Sequence, residues 1–166
     1  MTSPKREGGP ERDEMIIIAL DLDGVLHRSL ATEWMGERKE NKFFYFLPKF
    51  ESVIRDYPCT RILITSSWRE LRALGVLAAF FSEDIRPKIL GVTPIHNTGN
   101  RIGLRQREVR DWLKEHGLAD VCWVSPDDDS RNYLPDAPLI FCEDGFGAAE
   151  EKTLRLFLDL QIERVG

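Results

Sequence analysis

The chain has 166 residues, of which 42% are hydrophobic and 31% charged, and carries a net charge of −5. That length suits one domain with a sizeable core, and no apolar run approaches the ~20 residues that a membrane helix needs. The negative balance offers no general attraction for nucleic acid, so any polyanionic substrate has to be gripped by a local basic face.

Residues 1–14, "MTSPKREGGPERDE", are rich in Pro, Gly and charge and lack the apolar core of a secretory signal. They are expected to be a disordered tail ahead of a single domain over 15–166, in a cytoplasmic protein with no membrane partner. The first apolar run, 15–20, leads straight into two acids in "IIIALDLDGVLH". Asp21 and Asp23 there stand just past a buried strand, where a carboxylate and a nearby carbonyl can share a hard cation, and Gly24 lets the chain turn sharply. Alone, an Asp-x-Asp pair is equally well explained as a turn or cap.

Residues 27–46 follow as a short flap in which Trp34, Phe43, Phe44, Tyr45 and Phe46 are interleaved with Arg38, Lys39 and Lys42. Such a mixture suits either base stacking with backbone contact or simple packing of the flap onto the core. Leu47, Phe50, Ile54 and Tyr57 then share one helical stripe.

A second strand is predicted over 61–65, ending in "TSSWRE". Its hydroxyls and N–H groups at a helix start form a natural phosphate-binding geometry. Ser67 with Glu70 also has the form of a capping box. Leu71, Leu74, Ala78 and Phe81 predict the next helical stripe. A third strand, 88–92, ends in "GVTP", and "NRIGLRQREVR" then offers Arg101, Arg105, Arg107 and Arg110 before a helix carrying Val109, Trp112 and Leu113. Gly117 is its expected C-terminal cap. Arg107, at the front of that helix, is the arginine expected to clamp an anion.

A fourth strand, 121–124, ends in "SPDDDS", which brings Asp127, Asp128 and Asp129 toward the same edge. Adjacent acids repel, and a bound cation would relieve them. The fifth strand is 139–142, and the last helix, 148–163, carries Leu154, Phe157 and Leu158. His27, His96 and His116 lack metal-ligand spacing, with His27 notable for lying near Asp23. Cys59, Cys122 and Cys142 have no Cys-x-x-Cys spacing and read as buried small hydrophobes. Alternating strands and helices predict a doubly wound, Rossmann-like α/β fold with a five-stranded parallel sheet, whose ligands gather beyond the carboxyl ends of the strands.

In order, "DLDGVL", "ILITSSWR", an arginine before a helix and "WVSPDDD" resemble the four motifs of the haloacid dehalogenase-like (HAD) phosphohydrolases. More narrowly, "DLDGVLH", "SSWRE", "GVTP", "REVRDWL" and "WVSPDDD" are similar to the HAD domain of Swiss Army Knife RNA repair proteins. The resemblance implies a capless magnesium-dependent phosphomonoesterase. Asp21 would be the nucleophile that forms an aspartyl-phosphate, and Asp23 the acid and base. Mg2+ would be held by Asp21, the main-chain carbonyl of Asp23, and Asp127 with Asp128. Ser66, or Thr65 in a shifted register, would bind the phosphoryl oxygens with Arg107. Pro126 departs from the aliphatic residue usual before the acid pair, which leaves open whether Asp127 or Asp128 faces the metal. An open site favours a large phosphorylated substrate such as an RNA or DNA end. A small nucleotide or sugar phosphatase, and a phospho-ligand-binding regulatory module with little turnover, are the alternatives.

Overall fold

A computed structural model describes residues 12–31, 39–97 and 99–165 of the chain. Within it β1 (Ile16–Leu20), β2 (Thr60–Ile64), β3 (Ile89–Val92), β4 (Cys122–Asp127) and β5 (Leu139–Phe141) form one sheet. The order is β3-β2-β1-β4-β5, and every pairing is parallel. Around it lie α1 (Leu47–Asp56), α2 (Leu74–Ala78), α3 (Leu104–Glu115) and α4 (Ala148–Val165).

β1 is central, and all five of its residues are buried. Successive side chains on a strand point to opposite faces. Ile16, Ile18 and Leu20 therefore pack with Phe50, Val53 and Ile54 of α1 and with Leu154 and Leu158 of α4. Ile17 and Ala19 meet Val109, Trp112 and Leu113 of α3 on the other face. Each fully buried Ile or Leu contributes about 1.5–3 kcal/mol, so the strand that carries Asp21 sits in the best-anchored part of the molecule. The chain winds outward from β1 to β2 and β3, then returns to place β4 on the other side of β1. This reversal opens a crevice between the carboxyl ends of β1 and β4, the usual ligand position in such sheets.

Local departures from the sequence reading have physical causes. β4 runs on to Asp127 because Ser125, Pro126 and Asp127 pair with Leu139, Ile140 and Phe141 of β5. The β1 ladder has already ended at Ile18 and Val124, so the missing N–H of Pro126 breaks no rung there. The stripe predicted through Leu71 and Leu74 is broken by a 3-10 turn, Ser67–Glu70, and a short α2. That change of phase leaves Leu71 86% exposed and Leu74 exposed and buries Leu77 instead, while Phe81 is buried as expected. Ser66, rather than Ser67, caps the turn by accepting a hydrogen bond from the Trp68 N–H at 3.3 Å.

The end of α3 is as expected. Gly117 adopts φ +66°, and Leu118 N–H reaches back to the Leu113 carbonyl at 2.7 Å, closing the helix. Of the predicted tail, residues 1–11 lie outside the described residues, while Arg12–Glu14 form a 3-10 turn with Arg12 bonded to Asp120 at 2.6 Å. Trp34 and Arg38 of the flap also lie outside them. Cys59, Cys122 and Cys142 are unpaired, and burial pushes all three thiols up. Among the described residues there is no inserted cap domain, and no helix is long and apolar enough to cross a membrane.

Candidate active site

Asp21 is the first residue past β1, Asp127 the last of β4, and Asp128 its neighbour. The topology that puts β4 beside β1 brings their carboxylate oxygens within 4.8 Å of one another. Burial first, then mutual repulsion, pushes the Asp21 carboxyl well above its ordinary range and Asp127 up to about 6. Burial likewise raises Asp128. Gly24 sits at φ +75° against the Asp128 carboxylate, and a Cβ there would lie 2.2 Å from Asp128 Oδ2. Glycine is therefore required both for the turn and for the approach of that acid.

Hydrogen bonds fix the cluster. The Leu22 N–H donates to Asp21 Oδ1 and the Asp129 N–H to Asp127 Oδ1, both at 2.9 Å. Tyr133, which the motif reading missed, places its hydroxyl 3.2 Å from Asp127 Oδ2 and 2.6 Å from Ser125 Oγ. Three carboxylates packed this closely, one of them fully buried, cannot all stay charged without a counter-charge. An all-oxygen anionic donor set of this kind fits a hard divalent cation such as Mg2+.

Asp23 lives in a different environment. His27 is fully buried, and its Nε2 lies 2.7 Å from Asp23 Oδ1. The Phe44 N–H points at His27 Nδ1 from 3.4 Å, so Nδ1 is the acceptor and the ring proton sits on Nε2, donating to Asp23. Phe44 holds this position with φ 60°, an unfavourable conformation for a bulky residue. Trp68 Nε1–H donates to the other oxygen, Asp23 Oδ2, at 3.0 Å. The His27 hydrogen bond, aided by Trp68, holds the Asp23 carboxyl below its ordinary value despite partial burial. Phe43 and Phe44 pack edge-on against His27 and Trp68, so these flap aromatics serve packing.

At the end of β2, Thr65 is fully buried and its Oγ1 has no hydrogen-bond partner among the described residues. Ser66 Oγ is committed to the Trp68 N–H, while Ser67 lines the cavity above the acids. An unpartnered buried hydroxyl at a strand end is costly unless a ligand satisfies it.

The cavity holds about 440 Å3 and is lined by Asp21, Asp23, Asp128 and Asp129 together with Arg101, Arg105 and Arg131, of which Arg131 is bonded through two arms to Asp129. Arg107 does not line it; its guanidinium donates to the carbonyls of Ile102 at 2.6 Å and Asn100 at 2.8 Å. Arg105 does, with side-chain exposure of 17%. Burial pulls the Arg105 guanidinium down, but Glu108, Asp21 and Asp127 outweigh it and hold it above its ordinary value. The cation facing the acids was legible in the helix phase. Arg105 precedes Val109 by four residues and Trp112 by seven, which puts it on the inward stripe, whereas Arg107 is two residues out of phase.

Among curated proteins and among solved structures, none matches the chain significantly. Residues 17–152 match the family model of the HAD domain in Swiss Army Knife RNA repair proteins, from β1 into α4 and with every acid, hydroxyl and arginine of the site included. The match covers most of the chain and the five-stranded parallel sheet agrees with it, so the chain belongs to this family of HAD phosphohydrolase domains.

Proposed function

We propose that the protein is a magnesium-dependent phosphomonoesterase working through an aspartyl-phosphate on Asp21. The observation that carries the reading is the convergence of Asp21, Asp127 and Asp128 within 4.8 Å, beside a cavity that Asp21 and Asp128 line together with Arg101 and Arg105.

Asp21, the main-chain carbonyl of Asp23, and Asp127 with Asp128 would hold Mg2+. The bound ion would neutralise the acids and offset the repulsion between an anionic nucleophile and an anionic phosphate. Asp21 attacks phosphorus, forming a carboxylate–phosphorus bond as the bond to the leaving oxygen breaks. Asp23, protonated at that stage, gives its proton to the leaving oxygen. As a carboxylate it then accepts a proton from the water that attacks phosphorus, releasing inorganic phosphate and Asp21. His27 and Trp68 aim both Asp23 oxygens, which favours release of the proton in the first step and the carboxylate that acts as base in the second.

Thr65, with its unspent hydroxyl, is better suited than Ser66 to bind a phosphoryl oxygen. Arg105 takes the cradle role assigned by motif to Arg107, because it faces the acids. Arg101 and Arg105 at the cavity, with no inserted cap domain among the described residues, support a large polyanionic substrate, an RNA or DNA end bearing a phosphate, over a small nucleotide or sugar phosphate. Phosphate release from 3′- and 5′-phosphorylated oligonucleotides, mononucleotides and p-nitrophenyl phosphate, with and without magnesium, tests this. The expected result is magnesium-dependent hydrolysis fastest on oligonucleotides. Hydrolysis of none of them would refute the enzyme, and faster turnover of mononucleotides would refute the nucleic-acid end.

A further inference from the structure

Arg69 belongs to the "TSSWRE" stretch, but it does not reach the cavity. Its side chain is 1% exposed, as is that of its partner Glu108. Every arm of the guanidinium is engaged. Nε donates to the Thr93 carbonyl at 2.9 Å, and Nη1 to the carbonyls of Thr65 at 2.8 Å and Ser66 at 3.0 Å. Nη2 donates to the Pro94 carbonyl at 3.1 Å and to Glu108 Oε2 at 2.6 Å. One side chain thereby ties the loop after β2, the loop after β3 and the first half of α3.

Glu108 continues the chain of contacts. Its Oε2 also accepts the His96 N–H at 3.1 Å, and its Oε1 accepts from Arg105 Nη1 at 2.8 Å. Among the described residues that is the hydrogen bond Arg105 makes, which leaves most of its donors for a ligand. Glu108 holds Arg105 by this bond, while the Asp21 and Asp127 carboxylates also attract its charge. Without Glu108 the attraction of the acids would have no competitor, and the guanidinium would be free to settle on them and compete with a cation there.

We propose that Arg69 and Glu108 are positioning residues, a buried clamp that holds Arg105 at phosphate-binding distance from Asp21 while fixing the backbone of Thr65. This rests on the reading of Asp21 as the reaction centre. The clamp is more than a structural ion pair because its second carboxylate oxygen is spent on the cavity-lining arginine. A buried carboxylate that served only Arg69 would not divide its oxygens in this way.

The test is a double-mutant cycle read with inorganic phosphate as ligand to the magnesium-loaded protein, by calorimetry, alongside kcat and KM on p-nitrophenyl phosphate. Glu108→Gln should weaken phosphate binding about tenfold and raise KM, with correct folding checked by near-UV circular dichroism. In an Arg105→Gln background the same change should cost less than about twofold, because the route through Arg105 is gone while Arg69 keeps its bonds to the Thr65 and Ser66 carbonyls. Arg69→Lys, which keeps the charge but not the fork, should fall between. Should Glu108→Gln not fold, Arg105→Lys reads the same contact from its other end and is expected to lose phosphate affinity in proportion. Equal losses in both backgrounds, or unchanged phosphate affinity in folded variants, would overturn the clamp. A wild-type protein that neither binds nor releases phosphate would overturn the reading of the site itself, which the cycle keeps apart from failure of the clamp alone.

Discussion

The two ends of the sheet carry cavities of similar size and opposite chemistry. At the carboxyl end about 440 Å3 lies between aspartates and arginines. At the amino end about 390 Å3 is lined by Met15, Ile16, Tyr57, Cys59, Cys122, Ile162 and Val165 with a few acids at the rim. Size does not separate them. At the amino end burial makes the thiols less reactive. At the carboxyl end burial forces like charges together and shifts them away from their ordinary values. Groups held so far from their relaxed state are the ones poised for chemistry.

The sharpest way to break the comparison is to remove one charge at the carboxyl end and one thiol at the other. Asp21→Asn is expected to lower phosphomonoester hydrolysis by more than about a thousandfold, since it removes the attacking group. Cys122→Ala should change it less than about twofold. Comparable losses in the two variants would erase the distinction.

A second contrast concerns the cation. Asp127→Asn should weaken magnesium binding about 10–100-fold by calorimetry, yet raise the melting temperature of the metal-free protein by relieving a buried repulsion. Asp127 titrates near 6 in the fold against 3.8 unfolded. The folded metal-free chain therefore binds more protons than the unfolded one in that window, and its stability falls as pH rises from about 4 to about 6. Asparagine at this position should flatten that fall. Magnesium affinity should follow the opposite trend and decline as pH drops below about 6, where protons occupy the site. A metal-free Asp127→Asn protein less stable than wild type at neutral pH would show that repulsion is not the dominant strain.

An effect on turnover well short of that of Asp21→Asn tests the asymmetry inside the site. His27→Gln removes the ring that donates to Asp23 and is expected to slow turnover about 10–100-fold with little change in magnesium affinity. A variant that loses magnesium binding as well would mean that His27 supports the acid cluster rather than Asp23.

Much of the architecture was legible in the chain. Short apolar runs marked all five strands, most clearly β1, which is buried on both faces and so is apolar throughout. The acids were legible for a related reason: Asp21 and Asp127 interrupt hydrophobic sequence just where the strands stop. Less legible were features set by local phase. A 3-10 turn after Ser66 rotated the following stripe and exposed Leu71. The choice among four arginines depended on a helix start that the sequence does not mark, although the Val109 and Trp112 stripe favours Arg105. Tyr133 reaches Asp127 from an irregular segment after β4, where no periodicity points to a partner. His27 was notable only for its nearness to Asp23, and its bond to that carboxylate depends on Phe44 adopting a conformation that no composition announces.

The central claim is that the acid at the end of β1 is the nucleophile. Acid-quenched protein, sampled during turnover of a phosphomonoester with magnesium and digested for mass spectrometry, tests it most directly. One phosphoryl group is expected on the peptide bearing Asp21, absent without magnesium and absent in Asp21→Asn. Sustained phosphate release from Asp21→Asn, or a phosphoryl group on any other residue, would contradict it.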